Sequence, residues 1–345
     1  MQTYLWPNLN ELRQIDAAYM ARLTQDDPIF SLFPIRQTNG HLVTWRQRDN
    51  YTGLQQPRVL DGEFPSVPLP GRTDFLKKPG IYGEHVPIPE LDITARAAND
   101  SFGDRPIDIS DLVMEAGELL LARQINRMSY VLWTLLASGV YTITDEVGTI
   151  VDREQYNLTT ITASPTWDDL ANSKPMADLR SVNLKATGTS SQFGASAIAF
   201  MNLQTFTWMD GNTNANDLGG KRDAYGASVI GLDGINQILF RDNLPKIVIW
   251  NEGYYTDGTS STFKKFLADG DVVVVGSRRN STQVGEFLLT RNANNPDVSS
   301  APFYKVVDTG RDPNARPPRQ VAVYRGHNGG PALYYPGSVV YLKAK

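Results

Sequence analysis

The sequence predicts an α+β chain of compact units built around one long helix, with extended segments that lack a core of their own. Three observations carry that expectation. Apolar residues recur at helical spacing within Asp111–Ser138, a stretch more than twice as long as an average helix. Ahead of it, residues 41–92 alternate or are rich in Pro and Gly, with no helical period. Behind it, strand-like runs are interspersed with two helical ones, and Glu286–Leu342 is largely extended. At 345 residues, 41% hydrophobic and 20% charged, the chain is long enough for about two or three such units.

Residues 1–40 read as an arm. Asn10–Thr24 has helical spacing through Leu12, Ile15, Tyr19 and Leu23. The segment Asp27-Pro-Ile-Phe-Ser-Leu-Phe-Pro-Ile35 then gathers Phe30, Leu32, Phe33 and Ile35 between prolines. It must bury itself against another element or another subunit. His41–Arg48 sets Leu42, Thr44, Arg46 and Arg48 against Val43, Trp45 and Gln47, and Ile81–Ile88 returns as a second extended arm. A two-stranded ribbon is marginal alone in water, so this one needs a partner surface.

On the long helix Leu121, Ile125, Met128, Leu132 and Leu135 recur at steps of 4, 3, 4 and 3. Ser110 is placed to cap its start, Asp111 suits the first turn and Gly139 is placed to end it. At about 1.5 Å per residue this spine spans roughly 40 Å. Strands are expected at Val140–Thr144, Tyr156–Thr162, Ala195–Met201, Lys246–Trp250, Asp271–Val275, Glu286–Thr290, Val321–Tyr324, Ala332–Tyr335 and Ser338–Leu342. Helices are expected at Met176–Lys185 and Asp233–Phe240, and a loop at Asn292–Pro318.

Composition narrows the chemistry. No cysteine is present, which excludes disulfides, thiolate nucleophiles and sulfur-ligated metals. The three histidines, His41, His85 and His327, lack E-x-x-H or H-x-H companions and read as surface or packing residues. Asp210–Asp217 resembles a calcium loop but carries Ala215 and Lys221 where Gly and an acid are required. No phosphate-binding glycine motif and no G-x-S-x-G elbow occurs. Nothing positions the Asp168/Asp169 pair as a hydrolytic dyad. The expectation is a protein that is not an enzyme and holds no cofactor or metal. Met128–Thr144, the most apolar stretch, is 17 residues, too short and too polar for a membrane span. The chain has no visible targeting signal and is expected to stay in a cytoplasm.

Charge is sorted along the chain. Residues 1–200 carry 17 basic and 24 acidic groups, and residues 201–345 carry 16 and 13. That polarity suits oriented contact between copies. On the spine, Asp111, Glu115 and Glu118 share a face at i, i+4 and i+7. They either complement the helix dipole or receive a basic group from a neighbour, for which Arg46, Arg48, Lys77 and Lys78 are candidates.

Four motifs in order carry a resemblance. They are Asp27-Pro-Ile-Phe-Ser-Leu-Phe-Pro34; Arg127-Met128 with Leu136-Ala-Ser-Gly-Val-Tyr-Thr-Ile143; Ile247-Val-Ile-Trp-Asn-Glu-Gly-Tyr254 with Phe266-Leu-Ala-Asp-Gly-Asp-Val-Val-Val-Val275; and Gly330-Pro-Ala-Leu333 with Pro336-Gly-Ser-Val-Val-Tyr-Leu342. The chain resembles the major capsid proteins of tailed double-stranded DNA phages, the Hong Kong 97-type fold, and within them the lambda-like major capsid protein E family. Ala268 stands where that family usually has proline, and the first motif is one residue shorter before its Leu-Phe pair.

The resemblance implies an N-arm (1–40) and an extended loop (41–92). It also implies a peripheral domain (93–165 and 276–328) and an axial domain (166–275 and 329–345). It implies self-assembly into hexamers and pentamers of an icosahedral head enclosing double-stranded DNA, in a virion put together in a bacterial cytoplasm. Implied partners are other copies of the chain, portal and scaffold proteins and decoration proteins, with DNA touched only weakly and no membrane. Inter-subunit contacts are expected at Arg46, Arg48, Lys77, Lys78, Asp111, Glu115, Glu118, Phe30 and Phe33. Two alternatives stand beside this reading: an encapsulin-like cellular shell of the same fold, and a carbohydrate-binding protein drawing on 15 Tyr, 6 Trp and the Asn/Gly loops.

Overall fold

The computed structural model describes residues 17–18, 20–22, 24–47, 54–55, 57–58, 62, 64, 73–99, 108–144, 149–185, 187–189, 191–212, 231–256, 261–278, 281–294, 302–308 and 321–345. At the start of the described arm, residues 17–18, 20–22 and 24–26 are helical, and Leu12, Ile15, Tyr19 and Leu23, on which the helical spacing rested, lie outside the described residues. Next come helix α1 (Ile29–Leu32) and strands β1 (Ile35–Gln37), β2 (Val43–Gln47), β3 (Thr73–Lys77) and β4 (Gly80–Ile88). Helix α2 (Glu90–Asn99) leads to the spine α3 (Ser110–Ser138), then β5 (Val140–Thr144), β6 (Ile150–Gln155) and β7 (Thr159–Thr162). A mixed region follows with α4 (Pro175–Lys185), β8 (Ile198–Met201), α5 (Leu203–Asp210), α6 (Gly231–Arg241) and β9 (Lys246–Ile249). The rest is β10 (Gly253–Tyr255), β11 (Phe263–Lys265), β12 (Asp271–Val275), β13 (Gly285–Leu289), β14 (Phe303–Asp308), β15 (Val321–Leu333) and β16 (Val339–Lys343).

The spine forms as its pattern predicts. Leu121, Ile125, Met128, Leu132 and Leu135 are all buried, and Trp133 joins them completely inside. Its start differs from expectation: Ser110 is the first helical residue, and its N–H donates to Asp108 Oδ1 at 2.9 Å, so the capping carboxylate comes from two residues upstream. Gly139 ends it with φ 69°, its N–H donating to Leu135 O at 2.8 Å. That left-handed conformation favours glycine.

Two five-stranded sheets flank the spine. In the first, β15 is the hub: its first half pairs with β14 and β4, its second half with β13, and β1 adds to β13 in parallel. In the second the order is β7-β16-β12-β8-β9. The period of two along its strands assigns side chains to two cores. Val272 and Val274, Ala199 and Met201, Val340 and Leu342 pack with Met176, Leu179, Phe206 and Leu239 of α4, α5 and α6. Val273, Val275, Phe200 and Val339 face the other way, onto the C-terminal half of the spine, where the Phe200 and Trp133 rings meet edge to face at 5.3 Å. β12 is therefore an uninterrupted valine run because both of its faces are inside.

The ribbon is built differently from expectation. β2 pairs with β3, not with Ile81–Ile88, and Trp45 stacks on Phe75 at 5.0 Å. Pro79 separates β3 from β4, and β4 runs along β15 over nine residue pairs in the first sheet. Nor is the ribbon's root without a core, since Val43 and Trp45 are buried in the cluster of the spine. Val321–Tyr324 and Ala332–Tyr335, expected as two strands, are one strand crossing Gly326, where a Cβ would lie 2.5 Å from the Phe303 ring. β14 lies inside the expected loop Asn292–Pro318, and α5, which the sequence did not signal, is capped by Asn202 Oδ1 accepting from Thr205 N–H at 2.8 Å. Sheet pairing also crosses the sequence-based domain limits: β7 joins the second sheet although it precedes residue 166, and the end of β15 stays in the first sheet beyond residue 328.

His327 sits on β15 between the rings of Tyr82 and Phe287, 1% exposed, with neither ring nitrogen hydrogen-bonded. His85 stacks on Tyr324 at the surface. Burial, reinforced by the charges of Arg325 and Arg127, pushes the His327 imidazole down to about 3. An unfolded imidazole binds its proton near 6.5, so the unfolded chain gains protons first and acidification between those values removes stability. His327→Phe is expected to flatten the fall in urea midpoint from about pH 6 to 4, by roughly one proton's worth of slope. Gly139→Ala forces a Cβ to 2.9 Å from Tyr156 O at positive φ and is expected to cost about 1–2 kcal/mol in the same assay.

Candidate assembly surface

The arm is fastened by a buried carboxylate. Asp27 Oδ1 accepts from Ile29 N–H at 2.9 Å, turning the chain into α1, and Asp27 Oδ2 accepts from Ser129 Oγ on the spine at 2.5 Å. This local turn explains why aspartate precedes proline and the apolar run. Ile29, Leu32 and Phe33 are fully buried and Phe30 nearly so, in the same cluster as Leu132, Leu136 and Phe287. The inter-subunit contact expected at Phe30 and Phe33 is thus corrected: the apolar patch is consumed by the chain's own spine. The signal missed in the sequence was Ser129, a hydroxyl standing on the buried stripe of the helix.

Burial raises the Asp27 carboxyl above the usual range, opposed by the hydrogen bonds from Ser129 and Ile29 and aided by the charge of Glu252. A raised carboxyl favours the protonated folded form, so this group's stabilising effect is lost as pH rises through its folded value.

The basic candidates divide. Arg46 pairs with Asp74 across the ribbon, Nε to Oδ1 at 2.5 Å and Nη2 to Oδ2 at 3.2 Å. Lys77 pairs with Glu154 on β6, tying the ribbon to the β5–β6 hairpin. Lys78 stands exposed, and Arg48 lies outside the described residues. Arg123, midway along the spine, takes Glu84 of β4 in a two-point contact at 2.5 and 2.8 Å. Within one chain, therefore, Arg46 and Lys77 meet Asp74 and Glu154 rather than the spine acids.

Those acids form a face. Asp111, Glu115 and Glu118 are exposed on the spine, and Glu90 and Asp92 are exposed at the start of α2. The two helices share one apolar cluster through Ile93, Val113, Ala116 and Leu120. Leu91 and Leu119, beside these carboxylates in the sequence, are 77% and 54% exposed, and exposed apolar side chains among charges suit a protein interface. Chemistry of other kinds finds little to work with. Among the described residues no three His, Asp or Glu side chains converge as metal ligands. No described helix is long and apolar enough to cross a membrane. Asp168 and Asp169 are held below the usual carboxylate range by Thr166 and Asn172 hydrogen bonds respectively, the reverse of what a general acid needs.

Ser129→Ala leaves the Asp27 carboxylate short of a partner and is expected to cost about 1–3 kcal/mol in urea unfolding at neutral pH. Asp27→Asn should remove the component of stability that declines from acid toward neutral pH.

No family model matches the chain and no curated protein matches it by sequence. Solved structures do match in fold. A prophage protein of E. coli CFT073, whose structure is described as that of a capsid protein, superposes with a TM-score of 0.58 at 14% identity, covering 98% of this chain and 99% of that one. A phage-related protein from Bordetella bronchiseptica RB50 gives 0.54 at 11% identity, covering 96% of each chain. The capsid of Myoviridae phage XM1 gives 0.50 at 10% identity, covering 90% of this chain and 89% of that one. With its long spine, paired ribbon and two sheets, the chain has the α+β fold of phage capsid proteins, the Hong Kong 97-type architecture.

Proposed function

We propose that this chain is the major capsid protein of a tailed double-stranded DNA phage, a structural subunit that self-assembles into the hexamers and pentamers of an icosahedral head. The observation that carries the reading is likeness in fold over nearly the whole of both chains to a capsid protein. The four ordered motifs favour the lambda-like branch of that fold. Exposed acids and leucines on the spine and α2 support it physically, because a shell multiplies small interface energies over many copies and assembly stabilises the folded subunit by mass action. Near-neutral net charge, −4, suits a wall that must not hold packaged DNA tightly.

In this reading the ribbon of one copy lies over the spine of the next. Lys78 remains for a neighbour's Asp111, Glu115 or Glu118, whereas Arg46 and Lys77 stiffen the ribbon from within. Portal, scaffold and decoration proteins are the further partners, and assembly takes place in the bacterial cytoplasm.

Size-exclusion chromatography and negative-stain microscopy of the purified chain test the reading. Closed shells eluting in the megadalton range are expected, and a protein that stays a small species at high concentration overturns it. Enzyme cargo rather than DNA in particles recovered from cells would instead mark a cellular compartment. The paired reversal Glu115→Lys and Glu118→Lys is expected to lower shell yield several-fold without changing the circular dichroism of the dispersed chain. Unchanged yield would remove these two acids from the interface.

A further inference from the structure

Among the described residues β9 ends the second sheet, paired with β8 on one side. Its run, Ile247-Val-Ile-Trp250, is uncharged and largely β-branched, the composition that templates pairing with another chain when it lies at a sheet edge. Lys246 and Trp250 direct their N–H groups to β8, donating to Ala197 O and Met201 O at 2.9 and 2.8 Å. Ile247 is out of phase with them and turns its own peptide groups away from β8. Both are taken by a single side chain: Ile247 N–H donates to Asn236 Oδ1 at 2.8 Å, and Asn236 Nδ2 donates to Ile247 O at 3.2 Å.

The Asn236 amide therefore pairs with the strand as the peptide group of a further strand would. It stands on α6 beside Ile235, Ile238 and Leu239, which supply that helix's apolar packing. Asparagine is a poor choice for a helix interior on propensity alone. Its two-point contact with β9 is what the position gains.

We infer that Asn236 closes the edge of the second sheet to other copies of this chain, so that copies associate through their faces and not by extending one another's sheets. The inference rests on the shell reading only in naming a second copy as the excluded partner. It matters most in an assembly that holds many identical edges at close quarters.

The test uses the full chain with Asn236→Ala and Asn236→Asp, the latter keeping the acceptor for Ile247 N–H and losing the donor. Hydrogen exchange of the dispersed chain should show the Ile247 amide opening roughly tenfold more readily in Asn236→Ala, the equivalent of one lost hydrogen bond, with the β8–β12 amides unchanged. The same variant should give several-fold more irregular sedimenting material at equal concentration, and Asn236→Asp should fall between. An Ile247 amide that stays protected, or an exposed one that leaves the protein as well dispersed as wild type, overturns the inference. Loss of native circular dichroism in both variants also overturns it, by making Asn236 a core residue. A wild-type chain that forms no shells refutes the proposed function while leaving these exchange and sedimentation readings intact.

Discussion

A helix with more apolar surface than any one sheet can cover organises this fold. The spine buries residues from Val113 to Leu136, in two apolar clusters that β15 enters through Val321 and Val323 at one end and through Ala332 and Leu333 at the other. Its first half is covered by Ile88, Ile93, Val321 and Val323, from β4, α2 and β15. Its second half is covered by the arm, the ribbon root, β13 with the end of β15, and the face of the second sheet that carries Phe200 and Val273. Everything else is placed by that division. The second sheet must bury one face on the spine and the other under α4, α5 and α6, so all four valines of its central strand are enclosed. The arm is drawn into the same core, where Leu32 and Phe33 pack in one cluster with Leu132, Leu136 and Phe287.

Polar groups inside this arrangement mark its joints. Asp27 bonds Ser129 where the arm meets the helix, and Arg325 Nε donates to Gln124 Oε1 at 2.6 Å where β15 crosses it. Asn202 joins α5 to the turn before β12, donating to Leu267 O and Asp269 Oδ1 while Gly270 N–H reaches Thr205 Oγ1. Each satisfied polar pair fixes one relative position of two elements, which apolar contact alone does not do. Surface pairs such as Arg46–Asp74 contribute less to stability, because water screens them.

How much of this was legible in the sequence depends on the range of the signal. The spine and β12 could be read because their patterns are local: a 4-3-4-3 step and an unbroken valine run. β14 could not, because Phe303–Asp308 sits among Asn, Pro and Arg, and its strand character comes from pairing with β15. The ribbon's true partner was hidden for a related reason. Thr73–Lys77 and Ile81–Ile88 both alternate, and only the stacking of Phe75 on Trp45 decides between them. Of the assembly surface, the spine acids were visible as a spaced set. The partners of Arg46 and Lys77 were not, since Asp74 and Glu154 lie 28 and 77 residues away and meet them only through the fold.

The parallel pairing of β1 with β13 joins residues 252 apart, and both sheets take their central or bridging strand from residues 321–343. On a ribosome adding about 5–20 residues per second, the first sheet waits on the order of tens of seconds for its hub after β1 has emerged. During that interval Phe33, Trp133 and the valines of β12 have no finished core to enter. Contacts so distant in sequence also make closure slow once synthesis is complete. Until then those side chains are open to wrong partners, a hazard that the final form, which encloses them, no longer shows.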